Sequence, residues 1–241
     1  MSQAVRVYGI DPSLSSTGVA CVYVEPANSV HWAWTERITT AERGCQRIDR
    51  ICRQAAVLMS SARSTSSGLD DAPVLVVIEG PIYATPKVKT AIGDRVASLR
   101  GYHERAGLWW ALCSRLWRMG LPFAVAPPSS IKMWATGKGN AREELVMSRM
   151  ISAMSPHVVI DSNDEADALA AALMGAHKLL SRPVLVEHTA YREDALDGVE
   201  WPILPAALGF AGPVAAAMFD HDVPLARVGD TAIVLDPDTL S

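Results

Sequence analysis

Short apolar runs separated by turn residues open the chain. Residues 4–11 are rich in Val, Ile and Tyr and predict a β-strand ending at Asp11. Pro12-Ser13-Leu14-Ser15-Ser16 is breaker chemistry and predicts a turn. Thr17–Val24 predicts a second strand, and Val30–Ile38 a third with Trp32 and Trp34 on one face by period two. The short connections predict an antiparallel meander. Over 41–63 the period changes to helical: Ile48, Ile51, Cys52, Ala55, Leu58, Met59 and Ala62 recur on one face. Arg43, Arg47 and Arg50 fall on another, as a solvated row. Residues 64–72 read as a Ser/Gly/Asp loop. Val74–Glu79 is almost continuously apolar, as expected of a central strand buried on both faces.

A long helix is expected over about 93–119, with Val96, Leu99, Trp109, Trp110, Cys113, Leu116 and Trp117 as its apolar set. Pro122–Ala126 predicts a short strand and Ser129–Trp134 a short helix. Asn140 is expected to cap a helix to about Met154, and Asn163 a helix over 164–180. This order predicts an α/β domain: a five-stranded mixed β-sheet flanked by α-helices. The fourth and fifth strands, each preceded by a helix, should add in parallel beside the first. The ends bearing Asp11 and Glu79 would then meet. This α/β domain is expected to span 1–182. Residues 183–241 change character to an acidic, Pro/Ala-rich C-terminal extension, with a hairpin possible at Ala226–Leu235 around Gly229-Asp230.

A length of 241 residues with 49% apolar content supports one good core, with or without an appendage. No uncharged apolar run reaches the ~18 residues of a membrane span. The first strand begins without a basic and apolar leader pattern. Cys21, Cys45, Cys52 and Cys113 show neither zinc spacing nor close pairing, so they read as reduced core thiols. Together these features predict a cytoplasmic protein without membrane partners.

Acidic residues carry the chemistry. Asp11 and Glu79 close apolar strands, where an ionised carboxylate is costly unless paired. Asp164 and Asp167 stand three apart at a helix start, on one face and at the favourable end of the dipole. Alanines on the opposite side let that helix pack closely. An oxygen-only cluster of this kind selects hard divalent ions, Mg2+ or Mn2+. Two ions per site would let one activate water and the other stabilise the leaving oxygen of a phosphodiester.

The net charge of −4 conceals an asymmetry. Residues 81–150 hold 11 basic and 4 acidic side chains, whereas 151–241 hold 4 and 14. Local positive potential, not total charge, attracts phosphates. Lys87, Lys89, Arg95, Arg100 and Arg105 follow Glu79, and Lys132, Lys138 and Arg142 form a second group. A DNA backbone crossing the acids would meet positive charge on both sides. The acidic extension would repel DNA or bind a partner protein.

The ordered motifs resemble the RuvC-type Holliday junction resolvases of the ribonuclease H-like superfamily. Gly9-Ile10-Asp11-Pro12 with Thr17-Gly18 is similar to the first family motif, and Val77-Ile78-Glu79 to the second. Pro128-Ser129-Ser130-Ile131-Lys132 with Gly137-Lys138-Gly139-Asn140-Ala141 resembles its basic loop and following helix. Asp164-Glu165-Ala166-Asp167-Ala168-Leu169-Ala170 resembles the last motif. The likeness runs over about 4–180 and is consistent with a divergent or phage member. It implies a homodimeric, metal-dependent endonuclease that resolves four-way junctions by paired symmetric nicks, leaving 5′-phosphate and 3′-hydroxyl ends. Asp11, Glu79, Asp164 and Asp167 would be the metal-binding acids, and Lys132 would face the scissile phosphate. Three positions depart from the pattern. Ser13 stands where the family usually has Gly. Glu143 takes the place of a lysine, with Arg142 adjacent. Ile82 takes the place of an aromatic, with Tyr83 adjacent as the candidate that stacks on a junction base.

Two other classes compete. A non-catalytic branched-DNA-binding protein would not need all four acids. An actin-like ATPase or sugar kinase also begins with a strand, an Asp and a Thr/Gly turn. It would place Gly where Ser13 stands and would need a duplicated domain, and no such repeat is present.

Overall fold

The computed structural model describes residues 4–25, 30–64, 72–81, 87–90, 93–96, 99–155 and 157–202. A five-stranded sheet of order β3-β2-β1-β4-β7 forms its centre. Strands β1 (Val5–Asp11), β2 (Thr17–Val24) and β3 (Val30–Ile38) make the antiparallel meander. After α1 (Gly44–Ser64), β4 (Val74–Glu79) adds in parallel to β1. A two-stranded hairpin, β5 (Lys87–Thr90) and β6 (Gly93–Val96), precedes α2 (Leu99–Arg118). Strand β7 (Phe123–Ala126) then adds in parallel to β4. Helices α3 (Pro128–Thr136), α4 (Glu143–Met154), α5 (Asn163–Leu180) and α6 (Ala190–Asp197) complete the chain order. The expected five-stranded mixed sheet with flanking helices is therefore what the chain forms.

The two faces of the sheet are packed differently. Tyr8, Ile10, Val19, Cys21, Val76 and Ile78 point to one side, where Ile51, Ala55, Leu108, Leu112 and Leu116 of α1 and α2 cover them. Tyr8 Oη donates to the Met59 carbonyl at 3.0 Å, so its polar tip is satisfied within this layer. The alternate residues face α5, where the layer is thin. A Cβ on Gly9 would stand 1.8 Å from the Ala168 carbonyl oxygen, and one on Gly18 2.0 Å from that of Asp164. From the helix side, a Cβ on Gly175 would meet Val7 and Val77 at 2.7 Å. Backbone thus lies almost on backbone, which only glycine and the run of buried alanines in α5 permit.

Element boundaries depart from expectation where local pattern is ambiguous. Residues 93–96 are strand, not the first turn of the long helix. Val96 and Leu99 have helical spacing but belong to different elements. Helix α5 is capped by Ser162, not Asn163: Ser162 Oγ accepts from the Glu165 amide at 3.3 Å and donates to Glu165 Oε2 at 2.8 Å. Ser-x-x-Glu is the capping-box pattern, legible in Ser162-Asn163-Asp164-Glu165; in this variant the Glu165 carboxylate reaches back to the Ser162 hydroxyl and the Asp161 amide. Helix α4 starts at Glu143 after Arg142, while Asn140 lies in the preceding turn. Cys45 is exposed, whereas Cys21, Cys52 and Cys113 are buried; all four are free thiols.

Past the compositional change at 182 the chain continues to pack as one unit to Pro202. Helix α6 lies on α3, and Glu200 bridges Val125 of β7. Of the loop read at 64–72, Ser64 ends α1 and residues 65–71 lie outside the described residues, as do Tyr83 and the hairpin read at 226–235. No helix among the described residues is long and apolar enough to cross a membrane.

The contact between α5 and the sheet predicts sharp glycine dependence. Gly9→Ala should lower stability by about 3 kcal/mol, as overpacking against backbone does. Gly101→Ala in α2, where an added Cβ meets nothing within 4 Å, should be neutral or stabilising by up to about 1 kcal/mol. Urea unfolding of the two variants checks the contrast.

Candidate active site

Strand register brings the first two acids together. Ile10 lies opposite Ile78 in the parallel β1–β4 pair, so Asp11 and Glu79, one residue on, end neighbouring strands side by side. The turn after Asp11 is pinned by Thr17, whose Oγ1 donates to the Ser13 carbonyl at 2.7 Å and accepts from the Ser13 amide at 3.2 Å. Beyond Glu79, its carbonyl accepts from Trp109 Nε1 at 3.0 Å and Gly80 N donates to the Ala126 carbonyl at 2.8 Å. Both strand ends are therefore held by hydrogen bonds that do not use the carboxylates.

The other two acids arrive on α5. Asp11 pairs with Gly18, and the missing side chain of Gly18 admits the first turn of α5 at Asp164. Asp164 and Asp167 are thereby carried to the end of the sheet where Asp11 and Glu79 stand. Glu165, between them, is turned away: its Oε2 accepts from Ser162 Oγ and the Asp161 amide. Lys132 sits one turn into α3, which follows directly from β7, the strand whose Ala126 pairs with Glu79.

The charges feel one another. Burial, and then the charges of Glu79, Asp167, Asp164 and Glu143, hold Asp11 well above the ordinary carboxyl range. Glu79 is pushed up to about 8, first by burial and then by Asp167, with Lys132 opposing. Asp167 rises to about 6 for the same leading reason, burial, with Lys132 again opposing and Glu143 and Asp164 adding. Asp167 Oδ1 is buried without a hydrogen-bond partner. One lysine does not neutralise so many acids. Like charges gathered at a partly desolvated point, with an orphaned oxygen among them, form a donor set suited to a hard divalent cation.

Glu143, which stands where the resemblance would place a lysine, joins the acidic cluster electrostatically. It is exposed at the first residue of α4, takes a 3.4 Å hydrogen bond from Asn163 Nδ2, and acts electrostatically on Asp11, Glu79 and Asp167. Of the basic candidates, Lys138 and Arg142 are exposed on the α3–α4 connection, and Arg105 is exposed on α2. Lys87, Lys89 and Arg95 lie along the β5–β6 hairpin, and Arg100 lies in the first turn of α2.

These shifts carry a sign. The raised carboxyls bind more protons in the folded than in the unfolded state. Their protonated form favours the fold below about pH 4, and that stability is lost as pH rises through about 6 and about 8. Without divalent ions, the protein should melt at a lower temperature at pH 8 than at pH 5. Asp11→Asn should raise the pH 8 melting temperature by about 5 °C. Calorimetry across this range, with and without Mg2+, checks it; added Mg2+ should erase the pH 8 deficit in the wild type.

No family model matches the chain. Individual relatives do. It is 28% identical over 171 residues to the crossover junction endodeoxyribonuclease RuvC of Synechococcus sp. (strain CC9311), covering 71% of this chain and 98% of that protein. It is 25% identical over 183 residues to the RuvC of Brucella ovis, covering 73% and 90%. Among solved structures, Thermus thermophilus RuvC superposes with a TM-score of 0.54 at 21% identity, over 75% of this chain and 99% of that one. The same protein in complex with a Holliday junction substrate gives 0.53 at 18%, over 75% and 100%. Relatives matched over almost their whole length leave about a quarter of this chain outside the likeness. By sequence the chain is similar to RuvC proteins at 25–28% identity, and its fold is similar to that of Thermus thermophilus RuvC.

Proposed function

We propose that this protein is a metal-dependent endonuclease that resolves four-way DNA junctions. The observation that carries the reading is the convergence of Asp11, Glu79, Asp164 and Asp167 at one end of the sheet, where Asp11 lies within the field of the other three, with Lys132 within the field of Glu79 and Asp167. The similarity to proteins named for crossover junction cleavage supports the choice of substrate. Asp11, Glu79, Asp164 and Asp167 would hold Mg2+ or Mn2+, two ions in the fullest form. Held there, such ions would supply activation of a water and charge stabilisation for the departing oxygen of a phosphodiester, the chemistry that yields a 5′-phosphate and a 3′-hydroxyl.

The chain's own side chains supply the rest. Lys132, already within the field of Glu79 and Asp167, balances charge on the reacting phosphate. Lys138 and Arg142, exposed on the α3–α4 connection, bind the backbone on one side of the acids. Lys87, Lys89, Arg95 and Arg100 supply positive charge in the segment after Glu79, and Tyr83 is the residue to stack on an unpaired base.

Symmetric nicking needs two sites, hence two protomers. Trp110 and Trp117 stand seven residues apart on α2, so they share a face, and they are 65% and 69% exposed. Large exposed aromatics suit a subunit interface, and we assign the homodimer contact to this face. The acidic extension is a candidate site for a protein partner.

Synthetic four-way junctions, flaps and linear duplex, incubated with Mg2+ or Mn2+, test the proposal. The wild type should cut junctions in preference to linear duplex. Asp11→Asn should bind junctions yet cut roughly 10³-fold more slowly, equivalent to about 4 kcal/mol of barrier. Lys132→Ala should lose on the order of 10²-fold. Full activity in Asp11→Asn would refute the site, and equal cutting of linear duplex would refute the substrate class. In sedimentation, Trp110→Ala with Trp117→Ala should convert a dimer to monomers.

A further inference from the structure

Behind Lys132 lies a buried polar chain that the proposed chemistry does not use. Trp134, two residues further along α3 and wholly buried, donates from Nε1 to His177 Nδ1 at 3.0 Å. His177, fully buried on α5, meets Glu193 Oε1 of α6 through Nε2 at 3.0 Å. His188 Nε2 reaches the same oxygen at 2.6 Å. The ligand atoms of His177, His188 and Glu193 all lie within 4.8 Å of one another, a spacing a metal ion could use. The tautomer argues against that use. An indole N–H only donates, so His177 Nδ1 must accept, and in the neutral ring the proton then sits on Nε2. That nitrogen has no lone pair for an ion and instead donates to Glu193. Burial, which lowers the pKa of His177, keeps the ring in this neutral form.

The chain also ties three helices together. Trp134 belongs to α3, which carries Lys132; His177 belongs to α5, which carries Asp164 and Asp167; Glu193 belongs to α6. Helix α6 grips α3 elsewhere as well. The Arg192 guanidinium lies 5.5 Å over the Trp134 ring, Tyr191 packs on Gly137, and a Cβ on Gly198 would come within 2.8 Å of Ser130 Oγ. Residues two apart on a helix point to nearly opposite sides. Fixing Trp134 from behind therefore fixes the rotation of α3 that presents Lys132.

We propose that Trp134, His177 and Glu193 are positioning residues that hold Lys132 in register with the acidic cluster, so that α6 takes part in the active site without touching DNA. This rests on the role given to Lys132 above. Trp134→Phe removes the donor and keeps the ring, and Glu193→Ala removes the partly exposed acceptor. Each should lower kcat for junction cleavage on the order of 10-fold with KM unchanged. Glu193→Gln, which keeps an acceptor oxygen, should restore the rate. In a Lys132→Ala background, Trp134→Phe should cost nothing further, because the residue it positions is gone. Wild-type rates in both single variants, or the same loss with Lys132 absent, would overturn the proposal. So would stoichiometric Zn2+ binding that disappears in His188→Ala. A wild type that cuts no branched DNA would overturn the functional reading and this proposal with it, whereas an active wild type with indifferent variants would overturn this proposal alone.

Discussion

The approach of α5 to the sheet at backbone contact is the constraint on which the rest depends. Gly9 and Gly18 on the strands and Gly175 on the helix remove the side chains that would hold the layers apart. The buried alanines of α5 fill the remaining space. That closeness costs the packing area larger side chains would bury. The other face, where Tyr8, Ile10, Ile51, Leu108 and Leu112 meet, supplies the conventional core. A protein selected for stability alone has little reason to thin one layer this far. The consequence is positional: the first turn of α5 lands on the end of β1 and β2, and Asp164 and Asp167 reach Asp11 and Glu79.

A second tension follows from the first. Carboxylates drawn to one partly desolvated point repel, and burial first, then that repulsion, pushes Asp11, Glu79 and Asp167 upward. The scaffold bears this because it holds the acids through their backbones. Trp109 fixes the Glu79 carbonyl, Thr17 fixes the turn after Asp11, and the Ser162–Glu165 capping box fixes the start of α5. The side chains remain free to bind something else. Glu143 adds to the burden, and its presence where a cation is expected sharpens the demand on Lys132.

Much of this was legible in the sequence, for definite reasons. Continuous apolar runs ending in a single acid marked β1 and β4, and their parallel pairing followed from the intervening helix. The Asp164–Asp167 spacing marked a helix face. What was not legible depended on tertiary contact. The β5–β6 hairpin hid in a stretch whose Val96–Leu99 spacing also suits a helix. The cap of α5, by contrast, is a local ambiguity: Ser162 and Asn163 can both cap, and the Glu165 spacing selects Ser162. The break in composition at 182 concealed α6, because its role is to pack on α3, and its own sequence is only weakly amphipathic. The partners of His177, Trp134 and Glu193, come from two other helices, so no local pattern on α5 marks them.

The central claim is that Asp11, Glu79, Asp164 and Asp167 act together as one hard-cation site. Anomalous diffraction from crystals grown with Mn2+ tests it most directly. Manganese density should be bounded by the carboxylates of Asp11, Glu79 and the α5 acids, and should be lost in Asp11→Asn. Manganese absent from that cluster, or bound instead by His177, His188 and Glu193, would contradict it.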